Sequence, residues 1–102
     1  MTDRELLELA AKAAGIELWV DSVSGYRNGP DGDTWNPITD DGDAMRLAVR
    51  LRLCISPPDP YLNKVYVSAP GAGAVEDCGD DPYAATRRAI VRAAAEIGKG
   101  MI

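Results

Sequence analysis

The sequence predicts an α+β domain with elements in the order α-β-α-β-β-α, a small antiparallel sheet of three to four strands flanked by three helices in an α-β-α sandwich. Three observations predict it. Apolar residues recur at helical spacing in three separate stretches, short runs of strand-forming residues lie between them, and Gly- and Pro-rich segments mark the junctions. A chain of 102 residues with 46% apolar and 26% charged residues has ordinary globular composition and length for one core, so residues 1–102 read as a single domain.

The first helix is punctuated at both ends. Thr2 followed three residues later by Glu5 forms a capping box, Leu6, Leu9, Ala10 and Ala13 fall on one face, and Gly15 stops the helix in the left-handed conformation. This predicts a helix over residues 3–14. From Ile16 the pattern changes to Glu17-Leu18-Trp19-Val20-Asp21, a strand over residues 16–22 that Val23 extends. Residues 24–34 hold three glycines, a proline and the Asn28-Gly29 step, which favour a loop; Tyr26-Arg27 within it is the candidate fourth strand, as a hairpin with the first.

The second helix opens on "WNPITDDGD", residues 35–43. Asn36 is a candidate cap with Pro37 at the opening position, and Thr39 is a second candidate. Asp40, Asp41 and Asp43 suit the positive pole of the first turn, Arg46, Arg50 and Arg52 the negative pole, and Ala44, Leu47, Ala48 and Leu51 form the core face. Trp35 is then a plug closing the core against the helix entrance. Leu53-Cys54-Ile55 reads as a strand with Cys54 a small buried hydrophobe, stopped by Pro57, Pro58 and Pro60. Lys64-Val65-Tyr66-Val67-Ser68 alternates as a half-buried strand antiparallel to it, and Pro70-Gly71-Ala72-Gly73 ends the pair. In the last helix Asp81 caps, Pro82 takes the first position, Ala89, Ile90, Ala93, Ala94 and Ile97 face the core, and Gly98 terminates. Arg87, Arg88, Arg92 and Glu96 cover its outer face, with Arg92 and Glu96 at i, i+4 spacing. Alanine makes this face a narrow ridge, with Leu18, Trp19 and Tyr66 the candidates to supply bulk.

Charge and missing residue types narrow the function. The net charge of −5 argues against a nucleic-acid partner, which needs clustered cations. No run of eighteen apolar residues exists and Met1 is followed by Thr2-Asp3-Arg4-Glu5, so neither a membrane span nor a signal peptide is expected, which points to the cytoplasm. Cys54 and Cys78 form no CxxC unit and read as reduced thiols. There is no histidine, which removes imidazole zinc sites and imidazole-based catalysis. A calcium loop started at Asp31 fails, because its sixth position is Asn36 and its twelfth Gly42. The Gly-rich run at 70–73 lacks the Gly-Lys-Ser/Thr close of a phosphate loop.

The stretches "WNPITDDGDAMRLAVRL" and "DPYAATRRAIVRAAAEIG", separated by two strands, resemble the small bacteriophage proteins of the phage α-β-α sandwich domain family, over Leu6 to Gly98. The resemblance implies a phage or prophage origin and a helix-flanked sheet. It carries across no activity and no catalytic residue.

The expectation for function is a non-catalytic binding protein that engages a host protein or sequesters a small anionic molecule such as a nucleotide, with no cofactor. Candidate ligand-binding residues are Tyr26, Trp35, Asn36, Tyr83, Arg87 and Arg88, and exposed Tyr61, Asp40 and Asp41 join the candidate contact surface. The alternatives are a small enzyme drawing on Asp40, Asp43 and Asp77 with Lys64, Tyr66 or Cys78, and a metal-binding protein using Asp40, Asp41 and Asp43. An exposed sheet edge also admits a homodimer.

Overall fold

The computed structural model describes residues 1–21, 25–29, 32–56 and 58–101, and of Asp21 only the backbone. The order is α1 (Asp3–Ala14), β1 (Leu18–Asp21), β2 (Gly25–Asn28), α2 (Asp41–Arg50), β3 (Cys54–Ser56), β4 (Lys64–Ala69), β5 (Ala72–Asp77) and α3 (Pro82–Lys99). The fold is α+β, with helices packed on an antiparallel sheet, as the sequence predicts. Among the described residues there are five strands rather than three or four, in two antiparallel sheets, a β1-β2 hairpin and a three-stranded sheet ordered β3-β4-β5. The predicted extension of β1 through Ser22 and Val23 lies outside the described residues, as do Pro30, Asp31 and Pro57 of the predicted loops.

Capping fixes α1 where expected. The Glu5 N–H donates to the Thr2 hydroxyl oxygen at 3.2 Å, the Thr2 N–H and O–H donate to the Glu5 carboxylate at 3.3 and 3.0 Å, and Gly15 closes the helix at φ 71°. The buried face is Leu6, Leu7, Ala10, Ala11 and Ala14, so the helix is rotated from the predicted stripe and Leu9 and Ala13 sit at its margins. The hydrogen bond from the Thr2 backbone, then that from its hydroxyl, hold the Glu5 carboxyl below its ordinary value. Since the folded value is below the unfolded one, near 4.3, this cap stabilises fully above that pH and is lost as pH falls through the folded value. An NMR pH titration should show the Thr2 and Glu5 amides moving together in acid, and Glu5→Gln should abolish that inflection.

β3 and β4 pair antiparallel, as predicted for strands joined across a proline loop, with Ile55 opposite Val67. β5 follows the two-residue turn Pro70-Gly71, in which proline fixes φ and Gly71 takes φ 77°. The sequence reading ended the sheet there, because Ala72-Gly73-Ala74 has low strand propensity and Glu76 points to the inner side where an apolar residue is expected. Ile55, Val67 and Ala74 form one cross-strand row on the inner face, and Val65 lies beside it; Ser56, Tyr66 and Val75 form a row on the outer face, which no helix covers among the described residues. Cys54 is exposed on that outer side, contrary to expectation, and Cys78 is buried.

The helices instead stack inward from one face of the sheet. α3 packs on β4 and β5, on α1 and on α2. It is therefore buried around most of its circumference: Val91 and Ala95 are inside along with the predicted Ala89, Ile90, Ala93 and Ala94. Gly98, read as the helix terminator, lies within α3, which is closed by Gly100. Its role is close approach, since a Cβ at Gly98 would collide with the Leu9 backbone carbonyl of α1. The bulk against the alanine ridge comes from Leu6, Leu7, Leu47, Val65 and Val67; of the expected sources Leu18 packs partly buried against the core, while Trp19 and Tyr66 are exposed by 46 and 38%. Arg92 reaches the Val75 carbonyl and Glu76 of β5 instead of Glu96, which pairs with Lys99.

α2 ends with Arg52 in the left-handed region at φ 55°, beyond the cap Leu51, while the Leu53 N–H donates back to the Ala48 carbonyl at 2.9 Å. Glycine is the usual residue there, and an L side chain in that region costs about 1–2 kcal/mol. After the entropic cost of glycine, Arg52→Gly should raise stability by on the order of 0.5–1 kcal/mol, read as a rise in the urea midpoint with unchanged slope.

Candidate functional site

The entrance to α2 gathers most of the sequence-predicted site residues. Asn36 does not cap the helix; it builds the turn ahead of it. Its side-chain oxygen accepts from the Ile38 N–H at 3.0 Å, and its carbonyl accepts from the Asp40 N–H at 2.9 Å, folding the chain over the fully buried Pro37. Asp40 is the cap, accepting from the Asp43 N–H at 2.8 Å. Asp43 is nine-tenths buried and joins the turn to the helix, since it accepts from the Asn36 N–H at 2.9 Å and from Arg46 at 2.8 Å. The Arg46 guanidinium is held above its ordinary value by the Asp43 hydrogen bond and then by the charges of Asp43, Asp40 and Asp33.

The three aspartates diverge in what they bind. Asp41 pairs with Arg87 at 2.7 Å, Asp43 with Arg46, and Asp40 with the helix backbone. Among the described residues no group of three or more acidic or cysteine side chains gathers as a metal site would require. Arg87 also donates to the Ile38 carbonyl at 2.8 Å, tying the turn to α3, and Arg88 is engaged by Asp3 at 3.2 Å and Glu76 at 3.6 Å. Both arginines thus have carboxylate partners within the fold. Trp35 is a buried plug whose backbone N–H donates to the Tyr26 carbonyl at 2.7 Å, with Tyr26 packed half-buried against the core.

Of the candidate catalytic groups, Lys64, Tyr66 and Asp77 share the outer side of the sheet, remote in role from Asp40 and Asp43. Lys64 bonds Asp77 at 2.6 Å, and this hydrogen bond, followed by the Asp77 charge, holds the ammonium above its ordinary value. A lysine held more firmly protonated is the opposite of a nucleophile or base at neutral pH. Cys78, the thiol grouped with them by the sequence, is buried, whereas Cys54 is the exposed thiol on this side of the sheet.

Besides the outer row of the sheet and the exposed Trp19 and Val20 of β1, two surfaces among the described residues present apolar area. The first is the end of the molecule at the start of α3. Asp59 organises the loop between β3 and β4, accepting from the Tyr61 and Leu62 N–H groups at 2.7 and 3.2 Å, and the Cys78 N–H donates to the Asn63 carbonyl at 2.8 Å. That bond brings the loop beside the segment leading to α3, where Asp81 accepts from the Tyr83 N–H at 3.1 Å. Tyr61 and Leu62 on the tied loop and Tyr83 in the capped first turn of α3, exposed by 94, 58 and 71%, therefore belong to neighbouring segments. The second is a cleft of about 670 Å³ beside α2, lined by Ile16, Trp35, Met45, Val49, Asp33 and Arg50 among others. Leu62, Met45 and Val49 were not singled out by the sequence reading. The signal was present in Met45 and Val49, which sit at i, i+4 off the core stripe of α2.

Comparison with known protein families, curated proteins and solved structures finds no match to this chain in any of the three. Among the described residues no helix is long and apolar enough to cross a membrane.

Proposed function

We propose that this chain is a small accessory protein of phage or prophage origin that acts in the bacterial cytoplasm as a non-catalytic binding protein, engaging a host protein through the end that carries Tyr61, Leu62 and Tyr83. The observation that carries the reading is the exposure of these side chains, greatest at Tyr61, on a loop fixed by Asp59 and a helix start fixed by Asp81. Aromatic groups held ready in this way give large contact area with little ordering entropy lost on docking. The resemblance of the α2 entrance and α3 to phage sandwich domains supports the origin. A protein partner is favoured over a small anion, because Arg87 and Arg88 already hold carboxylates. Catalysis finds no support in Lys64, whose ammonium is stabilised by Asp77.

The test is affinity capture from a host lysate. The double variant Tyr61→Ala/Tyr83→Ala should retain the wild-type melting temperature and lose captured protein by about tenfold or more, since such anchors contribute roughly 1–2 kcal/mol each. Tyr66→Ser, on the outer sheet face, should leave capture unchanged. Equal capture by the wild type and the double variant would refute the assignment.

A further inference from the structure

We infer that the exposed ridge of α2 is a self-association surface, on which a second copy of this chain docks with its own α2 antiparallel across a two-fold axis. Met45 and Val49, exposed by 55 and 68%, stand one helical turn apart on the side of α2 turned away from Ala44, Leu47 and Ala48. Isolated exposed apolar residues need no explanation, but two on one helical face beside an open cleft form a continuous apolar strip. The strip is short, so what selects its occupant is charge.

The two ends of the strip carry opposite charge. At the start of α2, Arg46 bonds Asp43 at 2.8 Å and lies 4.0 Å from Asp40, with Asp33 beside them, leaving that end net acidic. At the other end stand Arg50, lining the cleft, and Arg52 just beyond the helix. Neither has a carboxylate within salt-bridge distance among the described residues, although the chain carries an excess of acids. A two-fold rotation perpendicular to α2 exchanges the ends. It sets Arg50 and Arg52 of each protomer toward the Asp33 and Asp40 end of its partner, and Met45 of one against Val49 of the other. A parallel arrangement would oppose Arg50 to Arg50 and Asp33 to Asp33. The surface is therefore self-complementary in the sense an isologous interface requires, and its polarity fixes the orientation. The dimer is independent of the partner taken by the Tyr61 end, and it would give that end two copies and hence avidity.

Sedimentation equilibrium over a concentration series at low salt tests this. The wild type should show reversible doubling of mass that weakens at about 0.5 M salt, where charges are screened within a few ångströms. Arg50→Glu cancels the charge of the basic end, where Arg52 remains, and Asp33→Lys cancels the net charge of the acidic end, so each alone should lose association by about tenfold or more. Mixed in equal amounts, the two variants should recover a one-to-one dimer, because the unaltered acidic end of the first faces the unaltered basic end of the second and the two substituted positions bring opposite charges together. Met45→Glu/Val49→Glu should be monomeric with unchanged circular dichroism. A wild type that remains monomeric at millimolar concentration, a dimer indifferent to Arg50→Glu and to Met45→Glu/Val49→Glu, or a mixture that stays monomeric would each overturn the inference.

Discussion

Replacing Gly98 with valine should destabilise the protein by about 3 kcal/mol, a lowering of the melting temperature on the order of 12 °C for a domain of this size. A Cβ at this position meets the Leu9 backbone carbonyl, and backbone cannot move aside by changing rotamer. α1 must retreat from α3, which opens the packing between the two helices and the buried face of Leu6, Leu7, Ala10 and Ala11. Helix propensity acts in the other direction, since alanine in a helix interior is favoured over glycine by about 1 kcal/mol. Gly98→Ala is thus the decisive comparison: if Gly98 only ended the helix or were free on its surface, alanine would stabilise. A net loss of about 1–2 kcal/mol is expected instead, read by chemical denaturation, with hydrogen exchange accelerated first in α1.

The second large effect should come from Asp43. Asp43→Ala removes the acceptor of the Asn36 N–H and the counter-ion of Arg46 together. A hydrogen bond to a charged group contributes about 1.5–3 kcal/mol, and the orphaned, partly buried Asn36 N–H adds to the loss. The Arg46 pair adds little, because its guanidinium is three-quarters exposed. An overall loss of about 2–3 kcal/mol is expected. Asp43→Asn retains an oxygen for the Asn36 N–H and should lose roughly half as much. Should alanine and asparagine cost the same, the Asn36 bond would not be the source of the stability. The effect is on the anchoring of Trp35 and Pro37 over the core, so loss of Trp35 fluorescence burial should accompany it.

These two residues mark where sequence reading succeeds and where it stops. Asp43 was legible as a structural acid at a helix start, because capping and dipole preferences are set by residues within one turn of each other. Its bond to the Asn36 N–H was not, since Asn36 and Pro37 fit equally well as the first residues of the helix. Gly98 has the same local signature whether it stops a helix or lets another helix approach. Only the position of Leu9, far away in the chain, distinguishes the two. Among the candidate ligand-binding residues, exposed Tyr83 was legible beside its cap. Trp35, Asn36 and Tyr26 have evident structural work in the plug and turn, and the partners of Arg87 and Arg88 lie on other elements.

By itself the chain determined what short-range chemistry can specify: the α+β class, the capping box of α1, the Asp81-Pro82 start of α3, and the antiparallel β3-β4 pair across a proline loop. Tertiary structure alone decided that β5 completes the sheet, that α3 is enclosed by β4, β5, α1 and α2, and that Met45 and Val49 remain outside. The physical reason is that burial and pairing are properties of contacts between distant segments. Alanine, glycine and arginine fit several environments with similar local preference, and the surrounding packing selects among them.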